Sequence, residues 1–273
     1  MKGYVDTGSA ICLDVRAHPE RYRESAVVDR FIQDHEYLPA QCAIASGTLQ
    51  HDRDVIMEFV RRFHLAGYTL HIHTIGDTAV RVALDAIEAA RAADGIFMQH
   101  DSLAHVQLAK PEDVVRIGRN RLYVAFTYSW GAASPDYDLM VIPFIDKVSG
   151  NRFEELYSKS GYYANNVYPF AAVKAAGGVL VAGSDAPVGT WDPVPFENMS
   201  TAVTRRAGGN AWPAQNPSQR IPVRDVIAAY TINGARLLGR DRECGSLEVG
   251  KSADFIVLDH YMEIGRASCR ERV

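Results

Sequence analysis

Long apolar runs are missing from this chain. None approaches the roughly 20 residues that a membrane span requires, so the sequence offers no spanning helix. Cysteine is scarce, with Cys12, Cys42, Cys244 and Cys269 scattered without CxxC or CxH spacing. That pattern suggests neither a zinc knuckle nor a disulfide framework, and a reduced, cytoplasmic setting is the default expectation. Charge of one sign is also lacking. A net charge of −4 gives no electrostatic case for nucleic acid or for an acidic membrane surface. The first residues carry no secretory leader pattern, an absence that means less if the true start lies upstream. Internal repeats and low-complexity tracts are absent too.

What is present is ordinary for a soluble globular chain: 273 residues, 47% hydrophobic and 23% charged. From about residue 51 the pattern alternates helix and strand. His51 to Ala66 has helical apolar spacing ended by Gly67, and Tyr68 to His73 is a short strand. Thr78 to Ala93 is a strong amphipathic helix with Asp77 as its N-cap. Ile96 to Met98 opens a strand that runs towards His105, and Pro111 to Gly118 starts a helix with acidic residues behind its proline. Leu122 to Phe126 and Val179 to Ala182 are strands, with a helix over Pro169 to Ala176 before the second. Val223 to Leu238 is helical and Phe255 to Leu258 forms a final strand. Such alternation predicts βαβ units around a parallel sheet, about five of them. Residues 7–50 and 131–166 read less regularly, the second as a long Tyr- and Pro-rich insertion of the kind that shapes an active site.

In parallel α/β folds, polar residues at C-terminal strand ends carry the chemistry. Three strand ends here stop in ligand-type residues: His73, His105 and Asp185. Two histidines and a carboxylate suit zinc or a similar divalent ion. Each alone has a plainer reading, a hydrogen-bonded core histidine or a turn-capping aspartate. Three in succession on separate strands favour the site.

Several segments carry a family resemblance. HTIGD followed by AVRVALDAIEAA, then LAHVQLAKPEDVVRIG, GVLVAGSDAPVGTWDPVPFENMSTAVTRR, AAYTINGARLLG and GSLEVGKSADFIVLD resemble the amidohydrolase superfamily, in particular amidohydrolase family 3 and its YtcJ-like branch. The resemblance covers nearly all of residues 1–262. It implies an α/β fold: a (β/α)8 TIM barrel, of which about strands 4–8 are present, with part of a small C-terminal β-sandwich. The implied domains are a partial barrel at 1–238 and the start of a sandwich segment at 239–262. Residues 263–273, EIGRASCRERV, resemble the translated read-through of a sequencing adapter and are set aside.

By motif, His73 matches the fifth-strand metal histidine, His105 the sixth-strand histidine and Asp185 the eighth-strand aspartate. Lys2 and Asp6, in MKGYVDTGS, resemble a fourth-strand pattern in which a lysine precedes DG; Thr7 stands in place of that glycine. Lys2 is then either a bridging ligand, often carboxylated in the superfamily, or a lysine at a frayed terminus. His71 faces the side of His73 and reads as a barrel-interior neighbour, and His100 as structural. Tyr128 and Trp130 follow the seventh strand and line the substrate pocket, or pack as ordinary loop residues. Arg205 and Arg206 steer an anionic group or, more commonly, lie on a solvated helix face.

The resemblance implies a divalent metal cofactor, zinc first with iron or manganese as alternatives, one or two ions. It implies a hydrolase that attacks a non-peptide, amide-type carbon–nitrogen bond of a small molecule with metal-activated water, Asp185 moving the proton. A homodimer stays open. The first-strand HxH of the superfamily is absent, so the expected start of the gene lies upstream and the expected behaviour of the chain as written is poor folding and weak metal binding. The alternative reading is a non-catalytic fragment whose matching residues are relics. A urease- or dihydroorotase-like relative is disfavoured by HTIGD and TRR.

Overall fold

A computed structural model describes residues 8–42, 49–96, 100–146, 148, 153–157, 160–188, 191–208 and 212–258. In chain order the elements are α1 (Ala10–Ala17), α2 (Ser25–His35), α3 (Arg53–Leu65), β1 (His71–Thr74), α4 (Asp77–Asp94), β2 (Ser102–His105), α5 (Pro111–Arg119), β3 (Tyr123–Phe126), α6 (Pro135–Val141), α7 (Tyr162–Asn166), α8 (Phe170–Ala176), β4 (Val179–Ala182), α9 (Pro195–Thr204), α10 (Val223–Tyr230) and α11 (Ile232–Leu237), with short 3-10 turns between some of them. The chain divides into two compact units. One comprises residues up to 48 together with 133–165, the other residues 49–132 together with 166 onward.

The second unit is built on the expected parallel sheet. Its order is β1-β2-β3-β4, and each strand pairs in parallel with its neighbour in the chain. All four residues of β2 are buried, as expected where helices cover a parallel sheet. Among the described residues, β1 and β4 each have a strand on one side only. Helix α4 follows from its apolar spacing: Val80, Ala83, Leu84 and Ile87 fall at i, i+3, i+4 and i+7 and are all buried. It stops at Gly95, whose φ of +72° ends the helix in the left-handed region. Where α5 meets α8, a Cβ on Gly118 would lie 1.9 Å from the backbone oxygen of Ala176, so glycine is required for that approach.

At the N-terminal strand ends, a buried ionic group joins helices to sheet. Arg91 binds the Asp101 carboxylate at 2.7 Å and the Asn120 carbonyl at 2.7 Å, while Asp101 accepts the N–H of Leu70 at 3.2 Å. His64 lies against Asp94 and, at 3.5 Å, Asp101. Buried charges persist when they are paired in this way.

The first unit corrects the reading of its cysteines. Cys12 and Cys42 form a disulfide and, with Val15 and Phe31, make a small buried core. The pair joins α1 to the turn Pro39–Cys42, a contact across 30 residues that no local spacing announces. The stretches read as irregular contain helices α1, α2, α6 and α7. Residues from the Tyr-rich segment are ordered around two buried acids. Asp138 accepts from the Ser134 N–H at 2.8 Å, the Tyr157 hydroxyl at 2.8 Å and the Tyr163 hydroxyl at 3.1 Å; Asp146 accepts the N–H groups of Tyr162 and Tyr163 at 2.7 Å each.

Three further readings are corrected. Phe255–Leu258 forms no strand, because no described residue supplies the ladder a strand needs, and Phe255, Ile256 and Val257 are exposed. Asp77 is the first residue of α4 rather than its cap; Gly76, with φ of +90°, takes the cap position. The first strand begins at His71, three residues later than its apolar pattern suggests. Lys2, Asp6 and the tail 263–273 lie outside the described residues. No helix among those described is long and apolar enough to cross a membrane.

Candidate active site at the C-terminal strand ends

The sheet register brings two histidines together. His73 on β1 is paired with Ala104, so alternation along β2 would turn the next residue, His105, to the opposite face with Thr74. The backbone prevents this. His105 adopts φ of +69°, in the left-handed region, and Nε2 of its ring comes within 2.9 Å of His73 Nδ1. A non-glycine residue there costs roughly 1–2 kcal/mol, and such costs collect at functional sites. Asp185, three residues past β4, has φ of +56°, and its Oδ1 lies 4.0 Å from His105 Nε2.

His105 is buried and held on its remaining sides. Its Nδ1 lies 3.4 Å from the Thr127 hydroxyl. Trp130, in the turn Tyr128–Gly131 after β3, stacks on the imidazole with centroids 5.0 Å apart and planes 13° apart. Burial lowers the pKa of His105; Asp185 opposes that shift, and His73 and His71 add to it. Burial and the neighbouring His73 also lower the pKa of His71. Both imidazoles are thereby biased towards the neutral form that can donate a lone pair.

His71 is not interior: part of its surface is open to solvent, while the surrounding protein desolvates it enough to lower its pKa. Its Nδ1 lies 2.7 Å from the Ser102 hydroxyl, which itself donates to the Leu70 carbonyl at 3.1 Å. Ser102 has one proton and the carbonyl can only accept, so the arrangement satisfying both contacts puts the His71 proton on Nδ1. His100 packs its ring on Tyr123 at 5.2 Å.

Tyr128 turns away from this group. Its side chain is fully buried against Phe126 and Phe170, so the hydroxyl has no route to a dissolved substrate. Trp130 is half-buried beside His105. Arg205 is fully buried, correcting the reading of a solvated helix face. Its Nε donates to the Gln215 carbonyl at 2.7 Å and its Nη1 to the Tyr168 carbonyl at 3.3 Å, while the guanidinium lies over the Phe170 ring. Arg206 is exposed. Sequence reasoning missed Thr127, Ser102 and Asn198. The first directly follows β3, so the strand-end rule that marks polar residues could have found it.

Residues 26–272 match the profile of the Amidohydrolase family. The chain belongs to the amidohydrolase family. Among its relatives, Putative amidohydrolase YtcJ of Bacillus subtilis is 25% identical over 78% of this chain and 36% of its own length. The N-substituted formamide deformylase of Arthrobacter pascens is 28% identical over 93% of this chain and 44% of its own. The chain thus spans less than half the length of these curated relatives. A metal-dependent hydrolase of Pyrococcus horikoshii OT3 superposes with a TM-score of 0.59 at 22% identity, over 82% of this chain and 40% of that one. The four-stranded sheet is therefore part of the barrel fold that the resemblance implied.

The donor chemistry fits a divalent ion in part. Two imidazole nitrogens face each other and a carboxylate stands beyond them, a set suited to zinc. Among the described residues, however, no three His, Cys, Asp or Glu side chains are gathered closely enough to hold a metal.

Proposed function

We propose that this site belongs to a metal-dependent hydrolase acting on non-peptide carbon–nitrogen bonds of small molecules. The observation that carries the reading is the facing pair His73 Nδ1 and His105 Nε2 with Asp185 at the same strand ends. His73, His105 and Asp185 would hold a divalent ion, zinc first with iron or manganese as alternatives; Lys2 is a further proposed ligand. When bound, such an ion supplies a Lewis acid and lowers the pKa of a bound water to about 7.

The chain's own groups do the rest. Asp185, with its side chain partly open to solvent, accepts a proton from the attacking water on a carboxylate oxygen and returns it to the departing nitrogen. Thr127 and Trp130 fix the ring of His105 from two sides, and Trp130 keeps water off one face of it. One relative is named for deformylation of N-substituted formamides, so that substrate class is the first we assign.

The test is hydrolysis of an N-alkyl formamide by the full chain, with zinc added and then removed by a chelator. Asp185→Asn is expected to lower turnover by about 10²–10⁴-fold with the circular dichroism unchanged. Turnover that survives joint replacement of His73 and His105 by alanine would sink the proposal. One observation favours a second reading, a chain without catalysis: among the described residues no third ligand stands close to the facing imidazoles. Metal content separates the two, since the non-catalytic reading expects no stoichiometric zinc.

A further inference from the structure

His105 stands between two loops that leave the sheet at different strands. Trp130, in the turn after β3, stacks on its ring, and Asp185, just past β4, faces its Nε2. One side chain joins the turn after β3 to the start of α9, the helix that follows Asp185 in the chain. Asn198, on α9, is 1% exposed. Its Oδ1 accepts the N–H of Ser129 at 2.8 Å, and its Nδ2 donates to the carbonyls of Pro193 at 3.1 Å and Val194 at 3.3 Å. A carboxamide accepts on its oxygen and donates on its nitrogen, and these partners fix which way the amide is turned.

A second grip comes from the end of the same helix. A Cβ on Gly131 would lie 2.6 Å from Nη1 of Arg205 and 2.8 Å from the Phe170 ring, so the guanidinium and ring close on the turn there. The turn Tyr128–Gly131 is thus held at Ser129 by Asn198 and at Gly131 by Arg205. Trp130 lies between the two grips.

We infer that Asn198 is a positioning residue for the reaction proposed above, setting the plane of Trp130 against His105 and holding the turn Tyr128–Gly131 to the backbone of Pro193 and Val194 at the start of α9. The inference rests on reading His105 and Asp185 as groups of the active site. Asn198 acts through Ser129 on one side and through Pro193 and Val194 on the other. Its two roles separate chemically. Asn198→Ala removes both links. Asn198→Asp keeps an acceptor for Ser129 but loses the N–H that holds the start of α9.

The experiment uses the full chain carrying Trp191→Phe and Trp212→Phe, which leaves Trp130 as the sole indole of the original three. The emission and the near-ultraviolet dichroism of an indole both depend on what its ring is packed against. Asn198→Ala is expected to shift the emission of Trp130 and weaken its near-ultraviolet dichroism, and Asn198→Asp to keep both. Hydrolysis of an N-alkyl formamide by Asn198→Ala should fall about tenfold in kcat/KM, the size of one lost buried hydrogen bond, with most of the change in KM. An unchanged Trp130 spectrum in a folded Asn198→Ala protein overturns the inference. So does an equal spectral change in both variants. If Asn198→Ala does not fold, the Asn198→Asp spectrum decides: retained, it supports the link, and lost, it overturns it. A chain with no turnover at all sinks the proposed activity, and the spectra then judge the positioning role alone.

Discussion

At the scale of single residues, the site depends on backbone that side chains would not choose. His105 and Asp185 both sit in the left-handed region, and the first of them uses it to escape the alternation of its strand. Strand-end position can be read from a sequence, because it depends on local pattern. A reversed backbone torsion cannot, since it is imposed by what surrounds the residue. The burial of Arg205 was illegible for a similar reason: its acceptors, the carbonyls of Val167, Tyr168 and Gln215, belong to distant or irregular segments. Gly131 offers a direct test at this scale. A methyl group there has no space against Arg205 and Phe170, so Gly131→Ala should destabilise the chain by about 1–3 kcal/mol in a urea titration. Wild-type stability would show that the turn can move aside.

At the scale of elements, α3, α4, α5, α8 and α10 are legible from their sequence pattern, whereas α1, α2, α6 and α7 lie in stretches that read as irregular. The phase of α4 follows from its apolar spacing, and β1, β3 and β4 start within three residues of their expected places, whereas β2 starts at Ser102 rather than at Ile96. Phe255–Leu258 has the composition of a strand yet forms none, because strand composition does not provide a partner. The outer faces of α4 and α5 are joined by ions. Arg116 lies 2.7 Å from Asp85 and 2.7 Å from Glu88, and Asn120 donates to Glu88 at 2.7 Å. Burial alone would raise both carboxyls, but hydrogen bonds from Arg116, with Arg53 on Asp85 and Asn120 on Glu88, leave them below their ordinary values. Depressed carboxylates stabilise fully above their unfolded values, about 4, and lose that contribution as the pH falls through the lower folded ones. Thermal melts between neutrality and pH 3 should therefore decline on the acid side, less steeply in Arg116→Gln and less at high salt. Parallel profiles for the two proteins would count against this network.

At the scale of the whole molecule, the two units depend on different kinds of support. The helical unit has a small core and a covalent tie between Cys12 and Cys42. Closing a loop of that length contributes about 3–4 kcal/mol in the chain-entropy account. Reduction followed by alkylation should lower the stability of this unit by about that amount, seen as early loss of helical signal on heating. An identical melt before and after reduction would show the tie to be idle. A reducing cytoplasm would leave both thiols free, so thiol counting on protein taken directly from cells reports the compartment.

The strand order β1-β2-β3-β4 has a consequence in time. Among the described residues every strand lies beside its neighbour in the chain, but the connections between neighbours differ in length. Closure is shortest between β2 and β3, joined through residues 106–122, and longest between β3 and β4, joined through residues 127–178, so the sheet should grow outward from the β2–β3 pair with β4 added late. The inner strands β2 and β3 have ladders on both sides and should exchange their amide protons last, with β1 and β4 opening first. Slowest exchange at β1 would mean that the sheet opens from its middle. Under the expected order, His73 lies on a strand that opens early and His105 on one that opens late, so local opening separates the facing imidazoles long before the sheet itself comes apart.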